Sequence, residues 1–232
     1  MLVHGVNVRD GGRGTTDRLI PFLEAAGLDV LQYDYGWTFV LGARLWNGRR
    51  ARRVRELAAH SADGAVGVGH SNGCAVLWEA CRRGAEFGSL VFINPALDRR
   101  AAIPPQVHQV DVFWTEDDVP TRISRFLPWN IWGDMGARGY RGQDARGVNW
   151  DMKHGIRQRT FEPGREVAGF RAAYAVEGRK RAHSRVFDAE APGFEFWMAT
   201  IAAAAGNPWR AATLAAHSAD PQPQGGLKAG RA

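Results

Sequence analysis

The sequence predicts an α/β protein: a mainly parallel sheet covered by helices on both faces. Three observations carry that prediction. Short apolar, β-branched runs alternate with longer stretches whose apolar residues recur at helical spacing, the pattern of βαβ units. The runs at residues 65–68, 89–94 and 109–114 are apolar enough to be buried on both sides, as strands of a parallel sheet are. Between the first of these and an apolar helix lies Gly69-His70-Ser71-Asn72-Gly73. This G-x-S-x-G fixes a serine on a sharp strand-to-helix corner, because a side chain at either glycine would crowd the elements that close over it.

Taken in order, residues 2–8 form a β-branched run broken at Gly5, and a glycine-rich loop covers residues 10–14. A helix starts near Asp17, whose carboxylate can cap it, with Pro21 in the first turn where a missing N–H costs little. Leu19, Phe22, Leu23 and Ala26 make its apolar stripe and Gly27 ends it. Residues 28–33 are a second strand, running into Tyr33-Asp34-Tyr35-Gly36-Trp37. Residues 43–59 are a helix with Leu45, Trp46, Val54, Leu57 and Ala58 inward and arginines outward. The strand–Ser71–helix unit follows and ends at Gly84. The strand at 109–114 leads into Thr115-Glu116-Asp117-Asp118. Beyond Pro120 the periodicity weakens: residues 128–147 form an extended loop, 148–152 a last short strand, and 153–182 carry no assignment. A final helix over 193–205 buries Phe194, Trp197, Met198 and Ile201. One domain therefore spans 1–205, with 128–182 as a loop or cover region. Residues 215–232, with Pro221, Pro223, Gly225 and Gly226, form a disordered tail.

Length and composition bound the function classes. A chain of 232 residues, 45% hydrophobic, can bury one substantial core. No run of apolar residues is long enough to span a membrane as a helix. The first residues lack a basic region followed by an apolar stretch, so no secretion signal is expected and the location predicted is cytoplasmic. Cys74 and Cys81 lie seven positions apart on one helix, roughly 10 Å, too far for a disulfide; they read as reduced core thiols. The net charge of +6 is concentrated at Arg49, Arg50, Arg52, Arg53 and Arg55 and at Arg179, Lys180 and Arg181. No nucleic-acid motif accompanies them, so they read as a solvated face. No His, Cys, Asp and Glu grouping has metal-ligand spacing. Gly11-Gly12-Arg13-Gly14 lacks the Lys-Ser/Thr of a phosphate loop. No cofactor or metal is expected.

A serine nucleophile needs a base in hydrogen-bond reach, an acid to orient the base, and donors for an oxyanion. On a parallel sheet these come from loops at the C-terminal ends of the strands. Asp118 lies just past such an end, and His183 lies before the last helix. The order Ser71, Asp118, His183 is that of a serine–acid–histidine set built on an elbow. Asp117 and Asp98 are alternative acids and His154 an alternative base. His70 packs beside the sheet, and His60, His108 and His217 are surface residues.

At these residues the chain resembles the α/β-hydrolase superfamily. Leu2-Val3-His4-Gly5 resembles that family's third strand with its oxyanion turn, and Gly69-His70-Ser71-Asn72-Gly73 its nucleophile elbow. Val112-Phe113-Trp114-Thr115-Glu116-Asp117-Asp118 resembles the strand and loop bearing its acid, with Thr115 where a glycine is common. His183-Ser184 resembles its histidine loop. The resemblance covers roughly residues 1–205 and is specific over the first 120. Because it begins at the third strand, it implies a compact sheet of about six strands. It implies a serine esterase acting on a small-molecule ester through an acyl-enzyme, with Ser71 as nucleophile, His183 as base and Asp118 as orienting acid. The oxyanion hole would be the backbone N–H groups of Val6 and Asn72, with His4 bracing the turn and Asn7 a further donor or a loop cap. From their place after the second strand, Tyr33, Tyr35, Trp37 and Phe39 either line an acyl or aromatic pocket, with Tyr35 and Trp37 against the substrate, or pack into the core. The Trp129, Trp132, Tyr140 and Trp150 segment either covers the site or packs into the core. A thioesterase or amidase would use the same residues. A non-catalytic binding protein is the rival, and it would leave His183 away from Ser71 and Asp118.

Overall fold

The structure, a computed structural model, describes residues 1–6, 10–37, 40–60, 65–124, 126, 132–159, 182–191 and 193–206. Asn7, Phe39, Trp129, His217, the basic cluster at Arg179, Lys180 and Arg181, and the tail expected at 215–232 lie outside these residues.

Among the described residues seven strands form one sheet: β1 (Leu2–Val3), β2 (Gln32–Tyr33), β3 (Val66–His70), β4 (Ser89–Ile93), β5 (Gln109–Trp114), β6 (Gly147–Asp151) and β7 (Ile156–Arg159). Their order is β2-β1-β3-β4-β5-β6-β7. Every neighbouring pair is parallel except β6 and β7. Helices α1 (Ile20–Ala25), α2 (Val40–Ala58), α3 (Asn72–Arg82), α4 (Val119–Ser124), α5 (Met135–Arg138) and α6 (Phe194–Gly206) complete the α/β fold. No helix among the described residues is long and apolar enough to cross a membrane.

Successive residues of a strand point to opposite faces, and the two cores divide accordingly. Leu2, Val91, Ile93 and Phe113 face α1 and α6, where Leu19, Leu23, Trp197, Met198 and Ile201 meet them. Val3, Leu90, Phe92, Val110 and Val112 face α2 and α3, against Val54, Ala58, Cys74, Leu77 and Trp78. Each large side chain fully withdrawn from water contributes roughly 1.5–3 kcal/mol, so both helical layers are held chiefly by this burial.

Four details differ from the sequence expectation. The sheet has seven strands where about six were expected, because the chain reverses after β6. Gly155 adopts φ 65°, and Asp151 Oδ1 accepts the N–H groups of Lys153 and His154 at 3.0 and 3.1 Å, closing an antiparallel hairpin. The added strand, Ile156-Arg157-Gln158-Arg159, has no apolar run to announce it. The stretch expected as a loop at 128–147 contains α5. The strands expected at 2–8 and 28–33 shrink to two residues each. On α2, Leu45 and Trp46 are 83% and 45% exposed, whereas Asn47, Ala51, Val54 and Ala58, spaced by four, three and four positions, form the buried face. Arg50 joins that face instead of the solvated one, its guanidinium 4.1 Å from the centre of the Tyr35 ring.

Candidate active site

The site is built where β3 meets α3. Ser71 holds φ 54° and ψ −121°, a conformation that costs a non-glycine residue on the order of 1–3 kcal/mol. The surroundings impose it. Ser71 N–H donates to Ile93 O at 3.0 Å, tying the corner to β4. A Cβ on Gly69 would lie 2.8 Å from Cys74 N, and one on Gly73 would fall onto the carbonyls of Val3 and His4. The helix can therefore approach both strands only with glycine at these positions. On the other side a Cβ on Gly5 would come within 2.9 Å of Ser71 Cβ, so the turn after β1 presses against the serine. Asn72 opens α3, and its N–H is among those a helix start leaves without an intrahelical acceptor.

Asp118 follows β5 and caps α4. Its Oδ1 accepts the Thr121 N–H at 3.1 Å, the usual N-cap geometry, and this leaves Oδ2 free to turn toward His183. His183 Nδ1–H donates to that oxygen at 2.8 Å. His183 Nε2 is then the unprotonated nitrogen, and it lies 2.7 Å from Ser71 Oγ. Asp118 is 0% exposed. Burial of the imidazole lowers its pKa, and the charge and hydrogen bond of Asp118 together outweigh that, so the net shift is upward from 6.5. The arrangement can take a proton from Ser71 Oγ as that oxygen attacks an electrophile, with the resulting imidazolium held by Asp118.

A polar buttress stands behind the turn after β1. His4 Nδ1 lies 2.7 Å from Gly5 O and Nε2 2.9 Å from Asp34 Oδ1. Tyr35 stacks on the His4 ring with 4.2 Å between centroids, and its hydroxyl donates to His4 O at 2.9 Å. The side chains of Asn72 and Asn47 exchange two amide hydrogen bonds, each 3.0 Å, and so pin α2 to the start of α3.

A cavity of about 700 Å³ opens above Ser71, lined by Val6, Asn72, Ala96, Pro120, Trp132 and His183 among others. Val6 and Asn72, the expected oxyanion residues, thus share the cavity wall with Ser71 and His183. The residues expected to touch substrate, Tyr35 and Trp37, do not line it: Tyr35 is spent on His4, and Trp37 is 52% exposed outside the lining. Of the expected cover, Trp132 lines the cavity. Tyr140 and Trp150 belong to the two cores instead, Trp150 stacked on Phe113 at 5.2 Å.

The competing acids and base lie elsewhere. Asp117 pairs with Lys153 at 3.2 Å, Asp98 accepts the Arg100 N–H at 2.8 Å, and His154 forms an exposed pair with Asp151 at 2.9 Å. His70 is buried under the corner, while His60 and His108 are exposed. Among the described residues no group of three or more His, Cys, Asp or Glu side chains is arranged to hold a metal ion. Asn47, Asn94 and Thr121, all in contact with the site residues, carried no motif. The one signal for Asn94 is its place directly after an apolar strand and before Pro95. Comparison with protein-family models, curated proteins and solved structures gives no match.

Proposed function

We propose that the chain is a compact α/β-hydrolase that cleaves carboxylic esters through an acyl-enzyme on Ser71. The observation that carries this is the continuous hydrogen-bonded line from Ser71 Oγ through His183 to the buried Asp118 carboxylate, at the floor of the cavity. A histidine turned onto a strained serine favours catalysis over simple binding.

Ser71 Oγ attacks the ester carbonyl carbon while His183 Nε2 takes its proton. The carbonyl oxygen becomes an oxyanion and accepts from the backbone N–H groups of Val6 and Asn72, the latter strengthened by the start of α3. Collapse of this intermediate breaks the bond to the alcohol oxygen, which leaves with the proton from His183. Water, deprotonated by the same nitrogen, then attacks the acyl-serine, and the acid departs as Ser71 regains its proton. Asp118 holds the imidazole in the required tautomer and stabilises the imidazolium that forms.

The cavity volume suits a small ligand, and its apolar wall at Val6, Ala96, Pro120 and Trp132 suits an uncharged acyl group. The test is a panel of p-nitrophenyl esters from acetate to octanoate, with a thioester and an anilide alongside. Wild type is expected to turn over esters, and Ser71→Ala and His183→Ala to lose at least about 10⁴-fold in kcat. Faster turnover of the thioester or anilide would reassign the substrate class. Ester hydrolysis undiminished in Ser71→Ala would overturn the assignment of the nucleophile.

A further inference from the structure

We propose that His70 and Asn94 are positioning residues that hold the base in place by donating, from two neighbouring strand ends, to the backbone carbonyl of His183. The inference rests on the hydrolase reading for its catalytic meaning.

His183 is not carried by the sheet. It lies in the turn at 182–184 before a short 3-10 helix, Arg185–Phe187. Its imidazole must nonetheless meet Ser71 and Asp118 at once, so the main chain beneath it needs an anchor. His183 O accepts from His70 Nε2–H at 3.0 Å and from Asn94 Nδ2–H at 2.8 Å, which uses both lone pairs of that oxygen. The donors come from the ends of β3 and β4, adjacent strands in which His70 is in register with Ile93. The peptide N–H of Ser71 is bound to Ile93 O. Nucleophile and clamp are therefore fixed to the same C-terminal ends of two central strands.

Both donors are built for the task. Asn94 is fully buried and holds φ 44°, a left-handed conformation that asparagine accepts more readily than most residues. Its own N–H is fixed on Phe113 O at 2.8 Å. The His70 ring lies 5.0 Å from the His183 ring and 5.0 Å, edge-on, from Phe187. Because Nε2 is the donor, Nδ1 is unprotonated, and it is buried without a partner, facing Gly5. Burial, with the adjacent His183 ring, lowers the His70 pKa to about 3. His70 therefore stays neutral where His183 titrates, and it keeps its donor without competing for the Ser71 proton.

The test uses Asn94→Gly, which keeps the left-handed conformation but loses the amide, and, as a second variant, His70→Leu, which fills the space but has no N–H to donate. Two quantities are read on the full chain: the rate of Ser71 labelling by a fluorophosphonate, per folded molecule, and the titration midpoint of the His183 ring by NMR. The expected result is labelling slowed about 10- to 100-fold, the scale of an ångström-sized misplacement, with a His183 midpoint lower than in wild type as its contact with Asp118 loosens. A purely structural role would lower the unfolding midpoint but leave both quantities at wild-type values, and that result in both variants would overturn the proposal. If wild type does not label, the hydrolase reading fails; the clamp is then decided by the titration alone, which needs no reaction.

Discussion

Asp117 and Asp118 are neighbours in the chain, yet their carboxylates enter different surroundings. Asp117 meets the Lys153 ammonium near solvent, whereas Asp118 is buried between the start of α4 and the His183 ring. That difference sets the pH behaviour of the site. The net pKa shift of His183 is upward from 6.5, and in the proposed reaction this base must be unprotonated to accept from Ser71. Activity should therefore rise with pH through a midpoint above 6.5, measured as kcat/KM for an activated ester. In Asp118→Asn the two contributions that raise the pKa disappear while burial, which lowers it, remains, so the midpoint should move below 6.5. The same change supplies a donor where an acceptor is needed, and it should cost on the order of 10³- to 10⁴-fold in kcat. A midpoint unmoved by the substitution would detach Asp118 from the base.

At the scale of elements, the junction of β1, β3 and α3 sets the site's geometry. Gly73 lets α3 rest directly on the backbone carbonyls of Val3, the last residue of β1, and of His4, which follows it. Gly73→Ala should cost about 3 kcal/mol or more, at the upper end of overpacking, seen as a lower urea midpoint. An unchanged midpoint would mean that the corner is looser than this packing implies. This junction was legible in the sequence because glycine spacing, an apolar strand and an apolar helix all point to one geometry. The hairpin of β6 and β7 was not, since Arg157, Gln158 and Arg159 give no apolar period and its turn is made by Asp151 and Gly155. The inward face of α2 was misread for a related reason. Leu45 and Trp46 are more apolar than Asn47 and Arg50, yet the latter two are buried, Asn47 against the Asn72 amide and Arg50 over the Tyr35 ring. Hydropathy cannot anticipate a buried polar pair whose partner lies on another element.

For the whole molecule, residues from the ends of four strands and one further loop converge on one site, of which Val6, Ser71 and His183 face the cavity while Asn94 and Asp118 are buried behind them. The turn after β1 contributes Val6, β3 leads to Ser71, β4 to Asn94, β5 to Asp118, and the turn at 182–184 brings His183. The chain order of serine, acid and histidine anticipated three of these. Asn94 escaped because a single asparagine after a strand has no pattern of its own; only the fold brings it to a carbonyl 89 positions away. A substrate pocket attributed to Tyr35 and Trp37 was likewise a matter of chain proximity, and the fold turns Tyr35 to support His4 instead. The measurement that bears most directly on the function is fluorophosphonate labelling of folded protein, mapped by peptide mass spectrometry, in wild type, Ser71→Ala, His183→Ala and His154→Ala. A serine hydrolase of this design labels at Ser71 alone, loses the label in Ser71→Ala and His183→Ala, and keeps it in His154→Ala. Folded wild type that takes no label, or takes it at another residue, would contradict it.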